Sequence, residues 1–214
     1  MKQNHRLREL RQVFFNGLVF RNPALVAALG LYPIAACSSL KIAVAISLIL
    51  VVQSLLAGTV MCAVGGFLPS WLRPGAALAA SALCWVPAGL LAESYLPGAL
   101  LVTGALGGLL LCNSMVLSRL NDYAPTHIFS AVAADALGCT LGYSLLLCGL
   151  SALREYLRIG QVWGSYAWAS SGALGPAPGL PFFGLILLAF CAAAVQAVNA
   201  RRAKHAGKRR VTRL

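Results

Sequence analysis

Between Ile42 and Leu153 the chain carries two basic residues, Arg73 and Arg119, and three acidic ones, Glu93, Asp122 and Asp135. A stretch this poor in charge cannot wet the surface of a water-soluble domain, in which about a quarter of the residues are charged. Over the whole chain 10% are charged and 59% are hydrophobic. In lipid the same stretch is natural, because the solvent is apolar and the backbone need only satisfy itself inside helices. The fold class expected is therefore an all-α membrane protein.

A helix needs about 20 apolar residues to cross the hydrocarbon core. Six such runs can be read, over residues 23–38, 40–64, 75–92, 98–117, 128–150 and 181–198. Breakers separate them: Gly65-Gly66, Pro69 and Pro74, then Pro97, Pro125 and a Gly/Pro/Ser-rich stretch over residues 170–181. The domains expected are a basic amphipathic segment over residues 1–21, one six-helix membrane domain over 22–200 and a basic tail over 201–214. In the first segment Leu7, Leu10, Phe14 and Leu18 recur every three or four residues among arginines. That spacing suits a helix lying on the membrane surface, with a disordered basic tail as the alternative.

The net charge of +12 sits mostly in two terminal clusters, five basic residues before the first run and seven after the last. Basic residues flanking apolar spans are retained on the cytoplasmic side, so both termini are expected there. With six spans, Lys41, Arg154 and Arg158 alone fall on the outer side. The charge then speaks for topology and against nucleic acid as a partner. The stretch Ile34-Ala35-Ala36-Cys37 resembles a lipoprotein cleavage site, but Pro33 interrupts the run before it and no soluble domain follows. The seven cysteines lie in or near apolar runs without any C-x-x-C, so they read as small buried side chains rather than a disulfide framework.

Two runs are interrupted. The first opens on Asn22-Pro23 and holds Gly30-Leu31-Tyr32-Pro33 at its middle; the fourth holds Gly104, Gly107 and Gly108, then Cys112-Asn113-Ser114. Each opens a set of three spans, and three is odd, so the sets enter from opposite sides. That is the pattern of two inverted three-helix repeats, in which discontinuous first and fourth helices build a site near the midplane. The alternative is a pair of glycine-containing helices packed closely. Gly138 and Gly142 form a G-x-x-x-G that marks tight helix packing. Asp135, about two turns into the fifth run, is a candidate for an ion path, because a carboxylate at depth is costly. It could equally brace a neighbouring broken helix through backbone amides. Glu93 is read as reaching water, Arg154 and Glu155 as interfacial anchors, and His127 as a solvated or capping residue. No nucleophile–base constellation, P-loop or dinucleotide fingerprint is present, so the chain offers no complete catalytic site.

The residues Phe15 to Pro33, with Gly17-Leu18, Asn22 to Val26 and Leu29 to Pro33, resemble the opening of the Rnf/Nqr membrane subunit family. Within that family the chain is most similar to the E subunit of the Rnf complex and the D subunit of the Nqr complex. The resemblance continues at Asn113 to Arg119, at Asp135 with Gly138 and Gly142, at Arg154 to Leu157, and from Pro178-Gly179 through Phe183-Gly184. It implies a subunit of a bacterial inner-membrane complex that couples electron transfer to Na⁺ or H⁺ translocation. The implied partners are a homologous six-helix sister subunit and the flavin-carrying and iron–sulfur subunits of the complex. It also implies an iron–sulfur cluster shared with the sister, two cysteines coming from each chain. At the matching positions this chain has Tyr32 and Ser114. Cys37 and Cys112 are the alternative sulfur ligands, although on a regular helix they point about 140° and 160° away. An ion or small-solute transporter subunit, or a redox-silent scaffold subunit, would reuse the same fold without the cluster.

Overall fold

The structure is a computed structural model and describes residues 10–15, 17–18, 23–26, 29–163, 165–166 and 177–211. Much of the expected amphipathic segment, the motif residue Asn22 and residues 170–176 lie outside these. Among the described residues the regular structure is helical, apart from one two-residue antiparallel ladder, Gln161–Val162 with Ser165–Tyr166.

In chain order the helices are α1 (Pro23–Val26), α2 (Leu31–Ala36), α3 (Leu40–Val64), α4 (Arg73–Tyr95), α5 (Ala99–Thr103), α6 (Ala105–Leu109), α7 (Ser114–Ser118), α8 (Phe129–Ile159) and α9 (Pro181–Val211). Four of them, α3, α4, α8 and α9 as far as Arg201, are long and apolar enough to cross a membrane. The other two runs read from the sequence fold as short pieces. Gly30 immediately precedes α2 as its N-cap, and a 3₁₀ turn over Leu110–Cys112 followed by Asn113 separates α6 from α7. Beyond α7 the chain winds through a π turn, Arg119–Tyr123, and a 3₁₀ turn, Ala124–Thr126.

Two helices run further than their apolar cores. α8 continues through Arg154 and Glu155 to Ile159 and stops at Gly160, whose amide returns to the Tyr156 carbonyl. α9 continues into the basic cluster as far as Val211, because alanine, lysine and arginine are strong helix formers.

The core is α3, packed chiefly between α8 and α4. Small residues let the helices approach, Ala43, Ala45 and Ala57 on α3 and Ala77, Ala88 and Ala92 on α4 being fully buried, while Ile46, Ile49 and Leu50 of α3 fill the core beside them. In lipid, helix association depends on close van der Waals approach, which small side chains permit. The same device sits at Gly138 of α8, where an added Cβ would stand 2.6 Å from the Phe14 carbonyl oxygen. α9 leans on α2 and α1 and leaves Phe182, Ile186 and Phe190 exposed, as expected of a lipid-facing helix.

Candidate functional site

The two interruptions meet. Gly30, at φ +73°, takes a left-handed conformation that a side chain would disfavour, and this turns its amide outward from α2. That amide donates to the Ser114 hydroxyl at 2.9 Å. The Gly30 carbonyl accepts from the Tyr143 hydroxyl of α8 at 2.6 Å. A Cβ on Gly30 would stand 3.2 Å from both Asn113 Oδ1 and the Tyr143 ring, so a side chain there would press on both neighbours. Asn113 is fully buried and caps α7, its Oδ1 accepting from the Met115 amide at 3.0 Å. On the other side of the second break, Gln53 of α3 donates to Ser81 of α4 at 2.8 Å, and Ser81 donates to the Leu111 carbonyl at 3.0 Å. Each break is thus braced by a polar residue from a long helix, which supplies the partners that an interrupted backbone lacks in an apolar medium.

The end of α2 is closed by a residue read from the sequence as an interfacial anchor. Arg154 is 1% exposed. Its guanidinium donates to the carbonyls of Ile34, Ala35 and Cys37 at 2.9, 3.1 and 2.7 Å, and to those of Pro178, Gly179 and Leu180 at 3.0, 3.2 and 3.0 Å. A cation at a helix C-terminus offsets the partial negative charge of the free carbonyls. Its neighbour Glu155 accepts from the first amide of α3, Leu40, at 2.7 Å. The pair therefore fastens the α2–α3 turn from both sides. Glu93 plays the same part for α5, accepting from the amides of Gly98 and Leu100 at 2.7 and 2.9 Å. It does so while partly exposed.

The sulfur and oxygen groups proposed from the sequence fall in unlike surroundings. Tyr32 is half-buried, and its buried hydroxyl has no hydrogen-bond partner among the described residues. Cys37 is fully buried at the end of α2, while Cys112 and Ser114 are exposed on the surface of the single chain. Among the described residues no three His, Cys, Asp or Glu side chains gather as a metal site.

Asp135, on α8, is 6% exposed and shares a cavity with Met115 and Val116 of α7. Its Oδ2 lies 3.6 Å from Arg119 Nε, and its Oδ1 is 3.7 Å from the Cys139 thiol. Among the described residues no backbone amide donates to it. A cavity of about 20 Å³ adjoins the pair, enough for one water molecule. Ser54, Gly58, Tyr123, Val132 and Thr140 help to line it.

Sequence reasoning missed Arg119 as a partner of Asp135, Arg154 as a buried clasp, and Gln53 and Tyr143 as braces. A clue existed for Arg154: an ionisable residue next to an apolar run normally earns its place through a specific partner. Nothing in the sequence named the carbonyls that serve as that partner.

The family model described as "Rnf-Nqr subunit, membrane protein" matches residues 10–197. One relative, the E subunit of the ion-translocating oxidoreductase complex of Edwardsiella ictaluri, is 31% identical over 160 residues, covering 72% of this chain and 66% of the relative. The protein of the same name from Shewanella sp. strain ANA-3 is 28% identical over 158 residues, with the same shares covered. The E subunit of the Na(+)-translocating ferredoxin:NAD(+) oxidoreductase complex of Acetobacterium woodii is 26% identical over 149 residues, covering 69% of this chain and 76% of the relative. The matched region thus spans just under two thirds of the length of the first two. With the family model matched over residues 10–197 and a relative 31% identical over 72% of its length, the chain belongs to the Rnf-Nqr family of membrane subunits.

Proposed function

We propose that this chain is a membrane subunit of an Rnf/Nqr-like complex that couples electron transfer to Na⁺ or H⁺ translocation across a bacterial inner membrane. The observation that carries the reading is the contact between the two helix breaks, Gly30 amide to Ser114 hydroxyl. Discontinuous helices that meet within a membrane protein build its functional site. The reading includes six spans in two inverted repeats, the broken segments serving as the first and fourth, with both termini cytoplasmic. The junction is open on one side, since Leu31, Cys112 and Ser114 are exposed. A homologous sister subunit of opposite orientation would cover that face, and the flavin-carrying and iron–sulfur subunits complete the complex.

The residues of this chain do not suit the iron–sulfur cluster that the family resemblance implies. Such clusters are held by soft thiolates. Ser114 offers an oxygen already engaged by the Gly30 amide, and Tyr32 offers a phenol. Of the two nearby sulfurs, Cys37 is sealed inside while Cys112 faces out. In this reading the chain supplies scaffold, partner surface and ion path, and the electron carrier lies elsewhere in the complex. Asp135, buried beside a cavity the size of a water molecule, is the residue assigned to the ion path.

Purification of the chain from its native membrane tests the assignment. Flavin-carrying and sister subunits are expected to co-purify, with ion pumping retained in proteoliposomes; a fully active isolated monomer overturns it. Any iron signal of the complex is expected to survive Cys37→Ser and Cys112→Ser. Loss of the signal in either variant overturns the cluster-free reading of this chain.

A further inference from the structure

The basic segment that follows the last apolar run is not a loose tail. The membrane-crossing part of α9 ends at Arg201, and the same helix runs on to Val211. No glycine or proline stands between Gly184 and Gly207, so the sequence holds no breaker to bend the helix where it leaves the membrane. Six of the residues from Arg201 to Val211 are lysine or arginine, and His205 is a further ionisable one. At a helical rise of about 1.5 Å per residue, Arg210 stands about 14 Å along the axis beyond Arg201.

Such an extension is poorly suited to stand alone. Lys204 lies three positions from Arg201 and four from Lys208, spacings at which like charges on a helix repel. The chain cannot neutralise them itself. After Glu155 it contains no acidic residue. Glu93 and Glu155 are engaged by amides at the starts of α5 and α3, and Asp135 faces Arg119. Glu9 and Asp122 remain, too few for six cations. The balancing charge has to come from outside the chain.

Two acidic surfaces are at hand beside a membrane, lipid headgroups and proteins, and composition selects between them. A helix that lies on a bilayer needs an apolar face. From Arg201 to Val211 the residues that are not basic are Ala203, Ala206, Gly207 and Val211, which make no such face. Attraction to charged headgroups is also screened within about 8 Å at physiological salt, well short of the outer end of the extension. A helix polar all round is suited instead to bridging between proteins. We propose that residues 201–211 form a docking arm for an acidic face of a water-soluble protein on the cytoplasmic side. The inference rests on the reading that the C-terminus is cytoplasmic and that the chain works within a complex. A run of one charge sign steers the partner in and speeds encounter. Pairing with carboxylates also relieves the repulsion that opposes the helix.

Two measurements test this. With the full chain in phosphatidylcholine nanodiscs, poly-L-glutamate is expected to slow hydrogen exchange at the amides of residues 201–211 about fivefold, and high salt to reverse it. Nanodiscs containing phosphatidylglycerol, without poly-L-glutamate, are expected to slow exchange far less. Equal or greater protection by the anionic lipid overturns the protein partner. In the purified complex, carbodiimide is expected to join Lys204 or Lys208 to an aspartate or glutamate of a water-soluble subunit, read by mass spectrometry. Absence of that link, with links elsewhere in the complex intact, overturns the docking arm while leaving the chain in its complex. Isolation of the chain without soluble subunits removes the complex assignment instead, and the nanodisc measurement still decides between acidic polypeptide and lipid. Cleavage of this segment by trypsin added outside intact spheroplasts removes the orientation on which the arm depends.

Discussion

The amide of Gly30 and the hydroxyl of Ser114 stand 2.9 Å apart although 84 positions separate them in sequence. This contact joins the two broken segments and leaves Ser114 at the surface of the chain, where its Oγ is still the acceptor that the buried Gly30 amide requires.

Ser114→Ala removes that acceptor. An unsatisfied buried amide costs about 1–3 kcal/mol, and the variant is expected to melt at lower temperature in detergent by a corresponding amount. Ser114→Thr keeps the hydroxyl and is expected to recover most of the loss. Equal melting temperatures for Ser114→Ala and wild type would show that the two breaks are not held together by this bond.

Gly30→Ala meets two obstacles at once. Its φ of +73° is unfavourable for a side chain, and the new methyl would stand 3.2 Å from Asn113 Oδ1 and from the Tyr143 ring. Backbone strain of this kind costs about 1–3 kcal/mol. The expected outcome is a lower melting temperature together with faster hydrogen exchange at Met115, whose amide depends on Asn113.

Arg154→Ala leaves six carbonyls without their donor. Removing one partner of a buried charged network costs about 3–5 kcal/mol, so the variant is expected to fail to accumulate in the membrane. Arg154→Lys is not a mild change, because an ammonium cannot span carbonyls that a planar fork reaches on two sides. Wild-type levels of Arg154→Lys on an immunoblot would contradict the role of the fork.

Gly184→Ala probes the same clasp from α9. The added Cβ would stand 2.7 Å from both Arg154 Nη1 and the Ile34 carbonyl oxygen. Because the two residues share one contact, their effects are expected to be non-additive in a double-mutant cycle with Arg154→Lys. Additive losses in melting temperature would separate Gly184 from the clasp.

Glu93→Gln weakens the cap on α5 without touching the core. The expected readout is local: faster hydrogen exchange at the Gly98 and Leu100 amides, with exchange in α3 unchanged.

The apolar runs and their breakers determined much by themselves. A chain with so little charge between Ile42 and Leu153 must fold in lipid, and lipid forces every uninterrupted run into helix; α3, α4, α8 and α9 follow from that. The interruptions at Gly30 and at Asn113-Ser114 were equally legible, because glycine and the Cys-Asn-Ser triplet stand out within apolar surroundings. Charge alone could not say where an ionisable residue ends up. Arg154 and Asp135 look alike in the sequence, each a charge beside or within an apolar run. Tertiary structure sent one into a cage of six carbonyls and the other to a loose pairing with Arg119 beside a small cavity. The physical reason is that a buried charge is defined by its partners. Those partners come from segments up to 120 positions away, which only packing brings within reach.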